Sequence, residues 1–378
     1  MAHSAVSGRE IYSTIRPLYS GWASVAEMPN RHKSAPVTSP YGGSILSKRR
    51  LSKQQIKQVQ KRRSAAAKVP RSAPDDSQLG PEQPGLILSH YGKQADVENT
   101  DDQPVVRCHL RANLGNMAAG DRVLWRAGAE GGVVTALFPR DSELHRPDSF
   151  GKLKLVAANV TQLVITMAPE PQPHANLIDR YLVVAETLKL EPLLLLNKGD
   201  LLPPDSPLPP LLASYTALGY KTLQVSARTG EGMAELRQHL SCGTSIFVGQ
   251  SGVGKSSIIQ TLLPDHDIKI GALSEQEQKG RHTTTYARLY HFPFGGNCID
   301  SPGIREFGLW HVSAEQVAEG FCEFRAHVHN CRFRNCSHQH EPACALQDAV
   351  QQGQVSAERF QSYQQIIASL DAVDIRSD

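Results

Sequence analysis

No uninterrupted apolar stretch in this sequence approaches the roughly 18 residues needed to cross a bilayer as a helix, so no membrane-spanning segment and no membrane partner are expected. The N-terminal MAHSAVSGREIYSTIRPLYS holds no apolar core and no evident cleavage site; export is not signalled, and the cytoplasm is the expected compartment. Cysteine is scarce and odd in number, seven in 378 residues, and three of the seven fall between Cys331 and Cys344. That distribution suits a metal site in a reducing compartment better than a disulfide framework. Acidic residues are missing altogether from Lys48 to Arg71, KRRLSKQQIKQVQKRRSAAAKVPR, where ten residues are basic and few are apolar. Such a segment cannot build a core. It is either a solvated, disordered tail or an arm that screens phosphates and becomes helical on a polyanion such as RNA.

What the chain does contain is ordinary for a globular protein: 40% hydrophobic and 20% charged residues. Its length exceeds the roughly 250–300 residues at which one core stops growing, so two or three domains are expected. The net charge of +3 hides an asymmetry, with 14 Lys/Arg against 4 Asp/Glu over residues 1–80 and 26 against 33 over residues 81–378. Residues 1–80 therefore read as a basic arm; its first 45 or so carry no pattern, and Met28 is an alternative start. From Gly80-Pro81 onward, short alternating stretches at Leu86–Leu88, Val105–Leu110, Arg122–Trp125 and Gly132–Leu137 are separated by Gly, Asn and Asp. Four or five such strands predict a small OB-type barrel over residues 81–145, either a face for single-stranded RNA or a plain scaffold.

From about Val156 the texture changes. Apolar runs (QLVITMA, PLLLLN) alternate with helical periods (ANLIDRYLVVAETLKL). A continuous run such as Leu193–Leu196 implies burial on both faces, hence a parallel sheet covered by helices, and residues 146–308 are predicted as a doubly wound α/β domain. Helical periods resume over residues 309–378 around the Cys cluster, and Phe360, Tyr363, Ile366, Ile367 and Leu370 share one face of a final helix.

The strand Thr244–Val248 runs into GQSGVGKSS, Gly249 to Ser257, and then into the amphipathic IIQTLL. This is a phosphate loop in its strand–loop–helix setting. The backbone N–H groups of Gly249, Gln250, Ser251, Gly252, Val253 and Gly254 curl around phosphates, Lys255 reaches the β and γ phosphates, and Ser256, next to Ser257, ligates Mg²⁺. The base is named by NKGD, Asn197-Lys198-Gly199-Asp200, after the buried LLLL strand. A carboxylate in the plane of guanine accepts both N1–H and the exocyclic amine, whereas adenine would leave Asp200 unpaired. Lys198 packs its stem over the ring and Asn197 ties this loop to the phosphate loop. Ser226-Ala227-Arg228 supplies a backbone N–H to the guanine oxygen. After GRHTTT, residues 280–285, come a strand and DSPG, where Asp300 holds Mg²⁺ through water and the Gly303 N–H senses the γ-phosphate. One Thr of the 283–285 run completes the metal shell; Thr284 is favoured among the three. Together these elements specify GTP or GDP with Mg²⁺, and a GTP hydrolase.

Their order is rearranged. The base-reading loop and the SAR turn precede the phosphate loop, so an ordinary G domain has been cut and rejoined, which is tolerable where old termini lie near each other at the surface. Ile304 follows DSPG and cannot orient water. His282, beside the Thr run, offers a nitrogen for that role; the alternatives are an exposed loop histidine, with catalysis by positioning and electrostatics alone. Further on, Cys331-x4-Cys336-x-His338-x5-Cys344 offers three thiolates and an imidazole, enough for one closed, structural Zn²⁺ site. The competing readings are reduced surface thiols, or His340 in place of His338. Arg332 and Arg334 give this region a cationic edge or a merely solvated face.

The succession NKGD, SAR, GQSGVGKSS, GRHTTT, DSPG and the Cys/His cluster resembles the RsgA (YjeQ) family of circularly permuted GTPases over roughly residues 48–375, including the LSKQQ arm, DRVLWR and IDSPGIREFGLWH. The resemblance implies a bacterial late-stage assembly factor of the small ribosomal subunit. Its OB-type and zinc domains flank the GTPase and contact ribosomal RNA, and subunit-stimulated hydrolysis releases it. It further implies His282 at the catalytic position and Cys331, Cys336, His338 and Cys344 as zinc ligands. A monomer is expected. The rival readings are a GTP-gated RNA-binding or tethering module with incidental turnover, and an unrelated ATPase.

Overall fold

The computed structural model describes residues 79–99, 104–111, 114–147, 152–264, 286–300 and 312–374. The basic arm, His282, Thr283 to Thr285 and Gly303 to Ile304 lie outside the described residues.

The N-terminal barrel is built from β1 (Glu82–His90), β2 (Gln94–Asn99), β3 (Val106–Leu110), β4 (Arg122–Gly128) and β5 (Gly131–Leu137). The strands follow the order β1-β2-β3-β5-β4, and β4 returns to pair antiparallel with β1, Glu82 opposite Arg126, which closes the ring. Ile87, Ala95, Val97, Cys108, Val123, Trp125 and Val134 fill the interior. Gly85 and Gly132 make room for the indole: a Cβ at either would lie 2.7 Å from a Trp125 ring carbon. Closure removes the exposed edges that a five-stranded open sheet would carry. β2 was not among the stretches legible in the sequence, because its run QADVEN is mostly polar. Its Asp96 nonetheless lies buried, with Arg107 Nε donating to it at 2.6 Å.

A hairpin of β6 (Glu143–Pro147) and β7 (Leu153–Ala158) leads into the α/β layer. That layer comprises β8 (Gln162–Met167), α1 (Ala175–Thr187), β9 (Glu191–Leu196), α2 (Leu208–Ala217), β10 (Lys221–Gln224), α3 (Met233–Leu240), β11 (Thr244–Val248), α4 (Lys255–Leu262), β12 (Arg288–His291) and β13 (Asn297–Asp300). The strand order is β10-β9-β8-β11-β13-β12; the first five are parallel and β12 runs antiparallel to β13. Alternation within β8 separates two cores. Leu163 and Ile165 pack with α1 and α2 on one face, whereas Val164 packs with α3 and α4 on the other. Leu193 to Leu196 are all fully buried, as a sheet covered on both faces requires; each such side chain contributes about 1.5–3 kcal/mol.

Barrel and α/β layer form one 11-stranded sheet, because Ser89 of β1 pairs with Arg288 of β12. His291 of β12 reinforces the seam, its Nε2 lying 2.7 Å from Glu98 Oε2 of β2 and its Nδ1 2.6 Å from Asn297 Oδ1.

The C-terminal region is helical: α5 (Ala314–Gly320), α6 (Ala345–Gln351) and α7 (Ala357–Asp374). A capping box of Ser313 and Gln316 starts α5. Phe321 and Phe324 stack at 4.6 Å, Tyr363 meets them edge-to-face at 5.9 and 5.6 Å, and all three join the core on the α1 face. Under them lies a buried ionic cluster. Arg359 of α7 donates to Asp179 of α1 and, at 2.7 Å, to Glu323, while Tyr215 of α2 donates to Asp179 at 2.6 Å. Burial raises the Asp179 carboxyl pKa, and the Arg359 charge works against that rise. The cluster locks the C-terminal helices to the helices that frame the nucleotide layer.

Candidate nucleotide and metal sites

Parallel strands place their C-terminal ends along one edge of the sheet, where ligands of open α/β sheets bind. Asn197 follows β9, Ser226 lies two residues past β10, Gly249 follows β11 and Asp300 ends β13. The edge therefore gathers segments that chain order scatters. From β9 to β13 there are three inter-strand steps, about 14 Å in all at ~4.8 Å each, the scale of an extended nucleoside triphosphate.

Asn197 is the clasp of this edge. It is 1% exposed; its Nδ2 donates to Val253 O at 2.9 Å, and its Oδ1 accepts from the Ala227 N–H at 3.2 Å. One side chain thus joins the base loop, the SAR turn and the phosphate loop. Gly254 makes this possible, since its φ of +93° favours glycine and a Cβ there would sit 2.3 Å from Asn197 Nδ2. Lys198, itself left-handed at φ 59°, extends its Nζ to the Glu170 carbonyl at 2.9 Å.

Asp200 is tied to the SAR turn. Ser226, fully buried, donates through Oγ to Asp200 Oδ1 at 2.5 Å and accepts from the Thr229 N–H at 3.1 Å. Arg228 Nη2 lies 2.6 Å from Asp200 Oδ2. The Ser226 hydrogen bond, together with the Arg228 charge, holds the Asp200 carboxyl below its ordinary range, so it is ionised at neutral pH. The sequence reading gave Ser226 only a backbone role and Arg228 none. A hydroxyl two residues past a strand end offers no sequence signal of the carboxylate it orients.

In the phosphate loop, Gly249 at φ +132° brings the chain so close to β8 that a Cβ would meet the Thr166 carbonyl at 2.0 Å. Lys255 Nζ donates to the carbonyls of Gly249 and Gln250, both at 2.6 Å, drawn back over its own loop. Val253 is buried, Gln250, Gly254 and Ser256 are half-buried, and Ser251, Gly252 and Ser257 are exposed. Ser256 lies in the first turn of α4 and Asp300 at the end of the neighbouring β13. Hydroxyl and carboxylate oxygens of this kind suit Mg²⁺.

The second site lies in the C-terminal region. The ligand atoms of Cys331, Cys336, His338 and Cys344 all fall within 4.8 Å of one another. His338 Nδ1 is 3.4 Å from the sulfurs of both Cys331 and Cys344, and these two sulfurs are 3.9 Å apart. Tetrahedral Zn²⁺ with bonds of about 2.3 Å to sulfur and about 2.0 Å to nitrogen requires S···N and S···S separations of about 3.5 and 3.8 Å. The donor set and its spacing fit zinc. His340 is exposed and outside the group. Left-handed φ at His338 (60°) and Ala343 (58°) turns the chain inward, and Glu341 accepts from the N–H groups of Ser337, Gln339 and His340, which fixes the knuckle. Cys108 and Cys298 are core residues remote from this chemistry.

A sheet edge that assembles a phosphate loop, an NKxD loop and a DxxG strand in this chain order defines a circularly permuted phosphate-loop GTPase. The model of the RsgA GTPase family matches residues 137–310. The chain is 52% identical over 342 residues to a Saccharophagus degradans protein named small ribosomal subunit biogenesis GTPase RsgA, covering 88% of this chain and all of that one. It is 54% identical over 338 residues to the protein of the same name from Azotobacter vinelandii, covering 86% and 98%. Among solved structures, YjeQ from Thermotoga maritima superposes with a TM-score of 0.64 at 29% identity, covering 77% of this chain and 99% of that one. YloQ, described as a circularly permuted GTPase, gives 0.62 at 24% identity over 79% and 98%, a likeness of fold. The chain belongs to the RsgA GTPase family.

Proposed function

We propose that this chain is a GTP hydrolase that binds the small ribosomal subunit and its ribosomal RNA, couples hydrolysis to late subunit maturation, and is released by it. The observation that carries the reading is the Asn197 clasp: it ties the loop bearing Asp200 to the loop bearing Lys255, so one guanine nucleotide reaches both. The names of the relatives support the subunit as partner.

In this reading Asp200 accepts from the guanine N1–H and amine, Lys198 covers the ring, and Lys255 leaves the Gly249 and Gln250 carbonyls to meet the β and γ phosphates. Backbone N–H groups of Gly249 to Gly254 hold phosphate oxygens without reorganising. Ser256, Asp300 and Thr284 hold Mg²⁺, which supplies charge neutralisation on the phosphates. Gly303 senses the γ-phosphate, and His282 takes up the attacking water's proton or orients it. Cys331, Cys336, His338 and Cys344 hold one structural Zn²⁺ that shapes the C-terminal region.

In this reading residues 1–80 are a basic arm, 81–145 the OB-type barrel, 146–308 the GTPase and 309–378 the zinc region, with arm, barrel and zinc region as the RNA-contacting parts. A cytoplasmic monomer completes the proposal; among the described residues no helix is long and apolar enough to cross a membrane. Hydrolysis of GTP and ATP with and without purified small subunits tests it. GTP-selective turnover accelerated by subunits is expected. ATP preference overturns the reading of Asp200, and turnover indifferent to subunits points instead to a GTP-gated tether.

A further inference from the structure

We propose that Arg228 is a displaceable stopper of the base-reading carboxylate: its guanidinium pairs with the Asp200 oxygen that guanine takes, so that nucleotide binding replaces this ion pair by the in-plane N–H donors of the base. The inference rests on the reading of Asp200 as the guanine-recognising carboxylate.

The pair is asymmetric. The Asp200 side chain is 11% exposed and that of Arg228 74%. Asp200 Oδ1 is committed to Ser226, buried beneath it, which leaves Oδ2 as the oxygen free to meet an incoming base; Oδ2 is buried and accepts no hydrogen bond, and Arg228 Nη2 sits 2.6 Å from it as an ion pair. A guanidinium and the N1–H/N2–H edge of guanine are similar objects to a carboxylate, each a planar donor that forms charge-assisted or in-plane hydrogen bonds. A largely shielded carboxylate without a countercharge is costly, and the Arg228 charge offsets that cost. Because its stem is in solvent, the guanidinium leaves by rotation of its own χ angles, with no backbone change. Ser226 and Arg228 share one turn, held by the Thr229 N–H to Ser226 Oγ and the Gly230 N–H to Ser226 O, so the orienting hydroxyl and the competitor arrive together.

Two consequences follow for guanine nucleotides. Their affinity is lower than the carboxylate alone would provide, and it falls less steeply with salt than the phosphate contacts alone dictate, since ions weaken the competitor as well. An exposed partner limits the competition to the scale of a solvent-screened pair, up to about fivefold in affinity.

The test is calorimetric titration of GDP into the full chain, the Arg228→Ala and Arg228→Lys variants, and each of these combined with Asp200→Asn. Arg228→Ala is expected to tighten GDP by two- to fivefold, on the order of a screened ion pair, at low salt, with the gain shrinking at high salt, and Arg228→Lys to fall between, since an ammonium lacks the planar fork. Asp200→Asn is expected to lose GDP and accept xanthosine diphosphate, whose C2 oxygen takes the amide N–H; on that background Arg228→Ala should change nothing. If the xanthosine switch occurs and Arg228→Ala leaves GDP affinity unchanged or weaker, the stopper is overturned alone. If Asp200→Asn keeps GDP and gains no xanthosine diphosphate, the reading of the base pocket falls and the stopper with it.

Discussion

Asn197 Nδ2 donates to the Val253 carbonyl at 2.9 Å across 56 positions of sequence. Its other amide atom accepts from Ala227, so a single buried side chain joins the NKGD loop, the SAR turn and the phosphate-loop motif. Asn197→Ala leaves a carbonyl and an N–H without partners, at a cost of about 1–3 kcal/mol each if both remain dry. GDP affinity is expected to drop at least tenfold, with a lowered melting temperature. Asn197→Asp keeps the acceptor for Ala227 and loses the donor to Val253, so it should lie between. Calorimetry and thermal denaturation of the three proteins check this order.

The Arg359 cluster predicts how the C-terminal region is held. Arg359→Ala strands Asp179, 1% exposed, as a buried charge without its cation, and removing one partner of such a pair costs about 3–5 kcal/mol. Urea denaturation should show the loss, and hydrogen exchange should place the opening in α7 ahead of the β8–β11 core. A paired Asp179→Asn, Arg359→Met variant should recover part of the stability; no recovery would mean that the cluster acts through packing against Phe321, whose ring lies 4.4 Å from the guanidinium.

The seam between barrel and α/β layer is pH-dependent. The hydrogen bond to Glu98 raises the His291 pKa against the opposing effect of burial. A raised folded-state value means that the contribution is full below the unfolded value of about 6.5 and is lost as pH rises through the folded one. The His291 side chain is 45% exposed, so solvent screening keeps this below about 1 kcal/mol. The melting temperature should decline between pH 6 and 8 more steeply in the native chain than in His291→Gln; equal slopes would remove His291 from the seam.

The zinc reading predicts one equivalent of metal per chain by elemental analysis and a substoichiometric amount in Cys336→Ser. In metal-free protein burial pushes the Cys336 thiol up to about 12, whereas a bound cation holds it as thiolate, so uptake should release protons. Chelation should expose the residues around α6 and α7 to proteolysis while the barrel stays protected. Metal-free protein of unchanged protease resistance would sink a structural role.

Much of this architecture was legible because its signals are local. Gly249 to Ser257 declare a phosphate loop by backbone geometry, and the LLLL run before Asn197 declares a strand covered on both faces. The spacing of Cys331, Cys336, His338 and Cys344 declares a closed donor set, although only the inward turn at His338 decided between it and His340. What was not legible depends on contacts between distant segments. β2 hides its two inward apolar residues among polar ones, and Arg359 looks like any surface arginine of an amphipathic helix until Asp179 and Glu323 are placed beside it.

Sequence alone set the chemical vocabulary expected of this protein: a phosphate-loop motif, an NKxD carboxylate, a Cys/His cluster, and their permuted chain order. The tertiary structure decided that permutation is harmless, because parallel strands deliver every loop to the same edge whatever order the chain visits them. It also decided that Arg228 lies against Asp200, since the charge nearest to a half-hidden carboxylate is set by the fold of two neighbouring loops and by no pattern along the chain.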